Sequence, residues 1–358
     1  MAVVQAPSIA DVLIASLNDL GRLKFTDLMS DKQNTIALKR IFKDKKTSVE
    51  DSGPEFQFNI ITNTNSSAEH VGIGYVHQVD IPNILATGKM PFRHTKWAWA
   101  MERRLVAMNQ GRAKIVDIAQ TQRLAALGSA ILLFERTLWR CPSLAEFDLH
   151  PVGLPYFVVK SATAATRANN NGFNGTVPSG YTLVADINPS TGANGRWKNY
   201  SDAYTAKTQD DLFTKMRRAQ YYTDFMPLVD GMPTYEQGND YGIYVNYETY
   251  KVVGDTLRAQ NDNLGKDVSA MEGQGTFMRT PFTPVIQLDD DTTDPVYMIN
   301  WGCLGAKVLK GEWMREEYFK AEARQPTVFQ TVTDCTWNLF CTNRRRQAVL
   351  SNGTTMPD

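Results

Sequence analysis

The densest group of side chains that could do chemistry is Asp289-Asp290-Asp291 with Asp294. Closely spaced carboxylates are how hard cations such as calcium are held. This cluster has neither the glycine nor the distal glutamate of an EF-hand loop, and it stands beside Pro295 between two expected strands. A solvated acidic turn, or a face turned to a basic patch on a neighbour, fits it better than a metal site. Gly72-Ile73-Gly74 begins like a dinucleotide fingerprint, but no third glycine and no helix follow. Two small residues on the open face of a β-ribbon explain it better. Arg344-Arg345-Arg346 is the basic triple of the chain. Guanidinium forks suit carboxylate or phosphate, so the triple is a candidate intersubunit contact or DNA-facing basic patch, against the plainer reading of a solvated face after the last strand. Cys141, Cys303, Cys335 and Cys341 show no paired spacing, and His70, His77, His94 and His150 are dispersed. P-loop, HExxH and GxSxG motifs are absent from the sequence. No nucleophile, base and acid converge, so the expectation is a non-enzyme with no catalytic residue, no metal and no cofactor.

Composition narrows the classes further. The 358 residues include 42% hydrophobic and 21% charged side chains, ordinary values for a globular protein with a sizeable core. The 38 basic and 38 acidic side chains cancel. A reader of nucleic-acid sequence normally carries a basic excess or stripe, whereas a protein that merely encloses nucleic acid needs neither. The segment MAVVQAPSIADVLIASLNDLG lacks the basic region and apolar core of a signal peptide, and no apolar run reaches the ~18 residues of a membrane span. The cysteines then read as small buried residues in a reducing compartment, and assembly in a cytoplasm is expected.

The elements that would position these residues follow from periodicity. Residues 8–21 read as an amphipathic helix with Ile9, Val12, Leu13 and Leu17 on one face, and a polar, lysine-rich arm runs on to about residue 50. Phe56, Phe58 and Ile60 alternate with polar positions. After a turn-rich stretch, Val71, Ile73, Tyr75, His77, Val79 and Ile81 share a face, so residues 54–81 read as a long two-stranded ribbon. Such a ribbon is marginal in water by itself; its apolar face must lie on its own domain or across another subunit. Residues 97–110 read as an amphipathic helix. Residues 112–138 form a second, with Leu124, Leu127, Ile131, Phe134 and Leu138 in helical spacing, about 40 Å long against a usual ~11–12 residues. A loop-rich region follows, with strands expected at 156–160 and 181–186. Then come a helix over 210–225, a strand and an Asn246-capped helix over 243–265, and strands at 283–288, 296–301 and 328–341 with a hairpin around Lys310-Gly311. On the last strand Phe329, Cys335, Trp337, Leu339 and Cys341 share one face. Trp97, Trp99, Trp301, Trp313 and Trp337 are expected in cores and interfaces.

The order arm, ribbon, long helix, loop-rich α/β region and closing strands resembles the major capsid proteins of tailed double-stranded DNA phages with the HK97-type fold. Local sequence agrees. YGIYVNYETYKVVGDTLRAQNDNLGKD looks like the strand–Asn–helix segment of that family's axial domain, and FMRTPFTPVIQLD like the strand after it. PVYMINWGCLGAKVLKGEW and TDCTWNLFCTNRRRQAVL look like its closing strands. The resemblance implies an α+β fold with an N-terminal arm (1–50), an E-loop β-hairpin (51–95), a peripheral domain with the spine helix (96–150), an axial domain (151–300) and C-terminal strands returning to the peripheral domain (301–358). It implies pentamers and hexamers in an icosahedral shell around DNA, with a portal protein at one vertex. The intersubunit face of the E-loop would be Phe56, Phe58, Ile60, Val71, Ile73, Tyr75 and Val79. Some members remove a long N-terminal scaffolding segment. Only a short helix precedes the ribbon here, so a separate scaffolding protein is expected, with a decoration protein as a further partner in some shells. Some members form isopeptide crosslinks from an E-loop lysine; residues 54–81 contain none, so a non-covalent shell is expected. An encapsulin shell around cargo enzymes is the alternative within the same fold. A soluble enzyme using the acidic turn is the alternative of another class.

Overall fold

The computed structural model describes residues 35–43, 46–62, 70–75, 85–104, 112–223, 240–261, 276–278, 280–322 and 325–353. The helix expected over residues 8–21 lies outside them. In chain order the described strands are β1 (Thr47–Glu50), β2 (Glu55–Ile61), β3 (Leu85–Pro91), β4 (Arg93–Glu102), β5 (Tyr200–Tyr204), β6 (Tyr241–Val245) and β7 (Thr276–Phe277). They continue with β8 (Thr280–Pro284), β9 (Val296–Asn300), β10 (Leu304–Leu309), β11 (Arg315–Glu322), β12 (Gln325–Cys341) and β13 (Ala348–Asn352). The longer helices are α1 (Arg112–Leu138), α2 (Thr214–Thr223) and α3 (Tyr247–Asn261).

Period-two alternation builds the first sheet around β12. Thr331, Thr333, Cys335, Trp337, Leu339 and Cys341 are all buried on one side. At about 3.3 Å per residue this strand runs some 56 Å, long enough to take several partners. β10 pairs antiparallel with its C-terminal end, and β1 adds in parallel to β10. β4 and β11 pair antiparallel along the rest. β4 replaces the first part of the helix expected at 97–110. Thr95, Trp97, Trp99 and Met101 alternate with exposed His94, Lys96, Ala98 and Ala100, and the free edge of β12 accepts that pattern as a strand. A short apolar run is ambiguous by periodicity alone, and here the tertiary partner decides.

The second sheet has the order β5-β13-β9-β6-β8-β7, and its central strands are buried on both faces. Ile243, Val245, Val296, Met298, Ala348 and Leu350 face one core cluster with Met216 and Ala219 of α2 and Val253 of α3. Tyr244, Tyr297, Ile299 and Val349 face the other cluster, which continues into α1 and the first sheet. β13 therefore closes the six-stranded sheet, whereas β10, β11 and β12 lie with β1 and β4. Asn246 caps α3 as expected from sequence: Thr249 N donates to its Oδ1 at 3.0 Å.

Three further expectations shift. Residues Leu154–Phe157 form one helical turn in place of a strand at 156–160. Residues 181–186 form a loop with one isolated bridge, Val184 to Ile187. The Lys310-Gly311 turn, with φ +78° at Gly311, joins β10 and β11, which pair with β12 and not with each other.

The arm is less extended than its composition suggests. Ala37 and Ile41 are fully buried, and Phe42 stacks on Trp313 with centroids 4.8 Å apart. Phe134 of α1 meets Phe42, Trp313 and Trp337 at 6.3, 6.2 and 5.2 Å. This aromatic cluster fastens the arm, α1 and the first sheet together. One buried carboxylate adds to it: Ala37 N and Leu38 N donate to Glu135 Oε1 and Oε2 at 3.1 and 2.9 Å, and Trp139 Nε1 donates to Oε1 at 2.8 Å. Glu135 satisfies N–H groups that a short helical turn leaves free.

Candidate interaction surfaces

The ribbon forms, with a different second strand. β2 pairs antiparallel with β3, from Glu55 opposite Pro91 to Ile61 opposite Leu85. Residues 70–75, expected on that second strand, instead carry a turn in which Tyr75 N donates to Gly72 O at 3.3 Å. Gly74 sits at φ +86°, a conformation glycine adopts without strain. The two glycines that resembled a nucleotide fingerprint are thus turn residues.

The ribbon's face divides in two. Phe56, Ile60 and Met90 are buried on the chain's own body. The Phe56 ring lies 5.2 Å from Phe92 and 6.0 Å from Phe340, and Phe58 lies 6.1 Å from Phe340 and 6.4 Å from Trp197. Gly88 faces Phe58 across the strands, where any side chain would run into the ring. Phe56, Phe58 and Ile60 are therefore a correction to the expected intersubunit face: they seat the ribbon's base, because the even face of β12 offers Phe340 there. Farther out the apolar side chains are uncovered. Ile61 and the opposing Leu85 are 75% and 60% exposed, and Val71, Ile73 and Tyr75 are exposed. Val79 lies outside the described residues. The real second strand also brings a lysine into the ribbon, half-buried Lys89, which the 54–81 boundary had excluded.

The arginine triple needs a sharper correction. It forms a short 3-10 turn whose N-cap is Asn343, with Arg345 N donating to Asn343 Oδ1 at 3.1 Å. Arg344 is fully buried. Its Nε donates to Phe157 O at 2.8 Å and its Nη1 to Trp197 O at 2.9 Å. Its Nη2 donates to Gly175 O and to Asn199 Oδ1, both at 3.2 Å. Burial pulls the guanidinium down to about 10, so it remains charged at neutral pH. It cannot belong to a DNA-facing or intersubunit patch; it ties three loop segments to the crossing between β12 and β13. Arg345 is half-buried with its guanidinium 3.7 Å over the Phe173 ring, a cation–π seat. Arg346 is half-buried beside it.

The acidic turn is knitted into the fold. Lys160 Nζ donates to Asp291 Oδ2 at 2.6 Å and Lys207 Nζ pairs with Asp294 at 2.9 Å. Tyr247 N, at the start of α3, donates to Asp289 Oδ1 at 2.7 Å. Burial pushes the Asp291 carboxyl up, but Lys160 and the Thr293 hydroxyl outweigh it and hold it below its ordinary value. Among the described residues no set of His, Cys, Asp and Glu is arranged to hold a metal ion. Cys303, Cys335 and Cys341 are buried and unpaired, and burial raises their thiols.

Sequence reasoning missed the polar residues that organise the loops. Asn199 accepts from Val159 N at 3.0 Å and donates back to Val159 O at 2.9 Å. Asn338 accepts from Val152 N at 3.0 Å and donates to Pro91 O at 2.7 Å. Both are fully buried. Asn338 occupies a polar position within an apolar strand, which was a readable signal; Asn199 offered none.

No protein-family model and no curated protein matches the chain. Solved structures do. The capsid subunit of Cyanophage A-1(L) aligns with TM-score 0.57 at 11% identity, over 93% of this chain and 97% of that one. The capsid of a native GTA particle aligns with TM-score 0.55 at 10% identity, over 93% and 95%. The mature capsid of bacteriophage PhiM1 aligns with TM-score 0.52 at 10% identity, over 94% and 92%. At such identities the likeness is one of architecture, and it runs nearly end to end in both partners. This chain has the α+β fold of phage capsid subunits.

Proposed function

We propose that the chain is the major capsid protein of a tailed bacteriophage, a structural subunit and not an enzyme, which self-assembles into pentamers and hexamers of an icosahedral shell around double-stranded DNA. One observation carries the reading: more than nine-tenths of the chain aligns with capsid subunits that are themselves covered over 92–97% of their length. In these terms the β2–β3 ribbon and the residues between its strands are the E-loop, within 51–95. α1 is the spine helix of a peripheral domain (96–150) completed by the five-stranded sheet. The six-stranded sheet with α2 and α3 is the axial domain, within 151–300 and closed by β13. Residues 1–50 are the arm. The exposed Ile61, Leu85, Val71, Ile73 and Tyr75 are the ribbon's contacts with a neighbouring subunit.

The balanced charge suits a wall that encloses DNA without reading it. The reading places the protein in the virion and implies a portal protein, a scaffolding protein during assembly and, in some shells, a decoration protein. The test is nuclease protection in particles isolated from infected cells and carrying this chain. Protected double-stranded DNA is the expected result. Particles filled with a cargo enzyme and free of DNA would replace the phage reading with an encapsulin.

A further inference from the structure

The ribbon has two long edges, and among the described residues one of them is hydrogen-bonded to the rest of the chain. Lys89 N donates to Ala185 O at 3.0 Å, away from β2. In an antiparallel pair a residue turns its N–H and C=O to the same side, and hydrogen-bonded pairs alternate with pairs whose groups point apart. Gln57 opposes Lys89, so its backbone groups turn outward. The other end gives the same polarity: Phe92 N donates to Pro54 O at 3.0 Å, an inward pair one step along. Thr87 Oγ1 donates to Asn59 Oδ1 at 3.0 Å, the close side-chain approach expected where the backbones do not bond. Phe56, Phe58 and Ile60 therefore carry the ladder, and Glu55, Gln57, Asn59 and Ile61 form an outer edge. All four are exposed, and among the described residues nothing is hydrogen-bonded to that edge.

Open edges invite pairing, and proteins guard those they keep to themselves with lysine, proline, bulges or brevity. Three other edges of this molecule follow that rule. β11 carries Arg315, Glu316, Glu317, Lys320 and Glu322, β4 has Lys96 in its middle, and β1 has four residues. Beyond Glu55 at its start the outer set of β2 has no charge and no proline, its register runs unbroken over seven residues, and it ends in the exposed Ile61.

We propose that the outer edge of β2 accepts an extended strand from a second copy of this chain, by β-augmentation. The inference rests on the self-assembly proposed above and gives the ribbon's contact a backbone geometry. A shell of identical subunits brings the same chain against every unguarded surface at high local concentration, which is why the occupant is a second copy.

The test uses the intact chain. Hydrogen exchange over residues 55–61 is compared between unassembled subunits and particles. The amides of Gln57 and Asn59 are expected to slow by at least about tenfold on assembly, while those of Phe56, Phe58 and Ile60 are protected in both states. Gln57→Pro with Asn59→Pro removes outward donors and no ladder donor. It is expected to leave the melting temperature of the subunit near wild type while cutting particle yield at least about tenfold, and Gln57→Ala with Asn59→Ala is expected to assemble. Unchanged exchange at Gln57 and Asn59 in particles, or a folded proline variant that assembles like wild type, would overturn the edge inference and leave the capsid reading standing. A wild-type chain that never self-associates would instead bring down that reading first.

Discussion

Arg344 shows how a charge can be structural when every donor is matched. Its guanidinium serves three carbonyls and one amide oxygen, none of them a carboxylate, and the Trp197 ring lies 5.6 Å from it. Arg344→Ala strands the Phe157 and Trp197 carbonyls, each costing about 1–3 kcal/mol when buried without a partner, while Gly175 O and Asn199 Oδ1 keep Asn199 N and Val159 N as donors. A loss of about 3 kcal/mol or more in urea unfolding is expected. Arg344→Lys should recover less than half of it, because an ammonium lacks the planar fork. Asp291 gives a pH signature. Its folded-state value lies below the ordinary 3.8, so the unfolded chain takes up its proton first as pH falls. Its stabilisation is complete at neutral pH and is lost as pH drops through the folded value. Asp291→Asn is expected to cost about 1 kcal/mol at pH 7, and the gap to wild type should narrow as unfolding is repeated at successively lower pH below the ordinary carboxylate value. Glu135 has the opposite sign. Burial raises its carboxyl despite four N–H partners, so this group favours the native state more below its folded value than above it.

Among the elements, the arm depends most visibly on a single side chain. Glu135→Ala leaves the Ala37 and Leu38 N–H groups and the Trp139 indole without their acceptor. Limited proteolysis is expected to cut within residues 35–50 at least about tenfold faster in this variant, with the rest of the chain resistant; equal rates would show that the aromatic cluster of Phe42 suffices. The elements also show where the sequence was legible. α1 was readable over its full length, because twenty-seven residues without proline and with apolar helical spacing have no other good solution. The buried face of β12 and the Asn246 cap were readable for the same reason, since local pattern and tertiary environment agree. β4 was misread as helix because Trp and Ala suit either period and its long-range partner lies more than two hundred residues away. The ribbon's second strand was misplaced because Val71, Ile73 and Tyr75 alternate as well as a strand does, while Leu85–Pro91, with glycine, lysine and proline, alternates poorly. The buried role of Arg344 was illegible, since its acceptors are main-chain groups of distant loops.

At the scale of the molecule, two sheets share one apolar core through Tyr244, Tyr297 and Ile299, and the ribbon extends from it with exposed Ile61 and Leu85 at its last described rung. Such groups need a partner, since contiguous exposed apolar surface marks interaction sites. The shell proposed above supplies one kind of partner, other copies of the same chain. The most direct measurement is negative-stain electron microscopy of the purified protein, with and without a coexpressed candidate scaffold. Closed shells, or rings of five and six subunits, are the predicted result. A monodisperse monomer under every condition would contradict it.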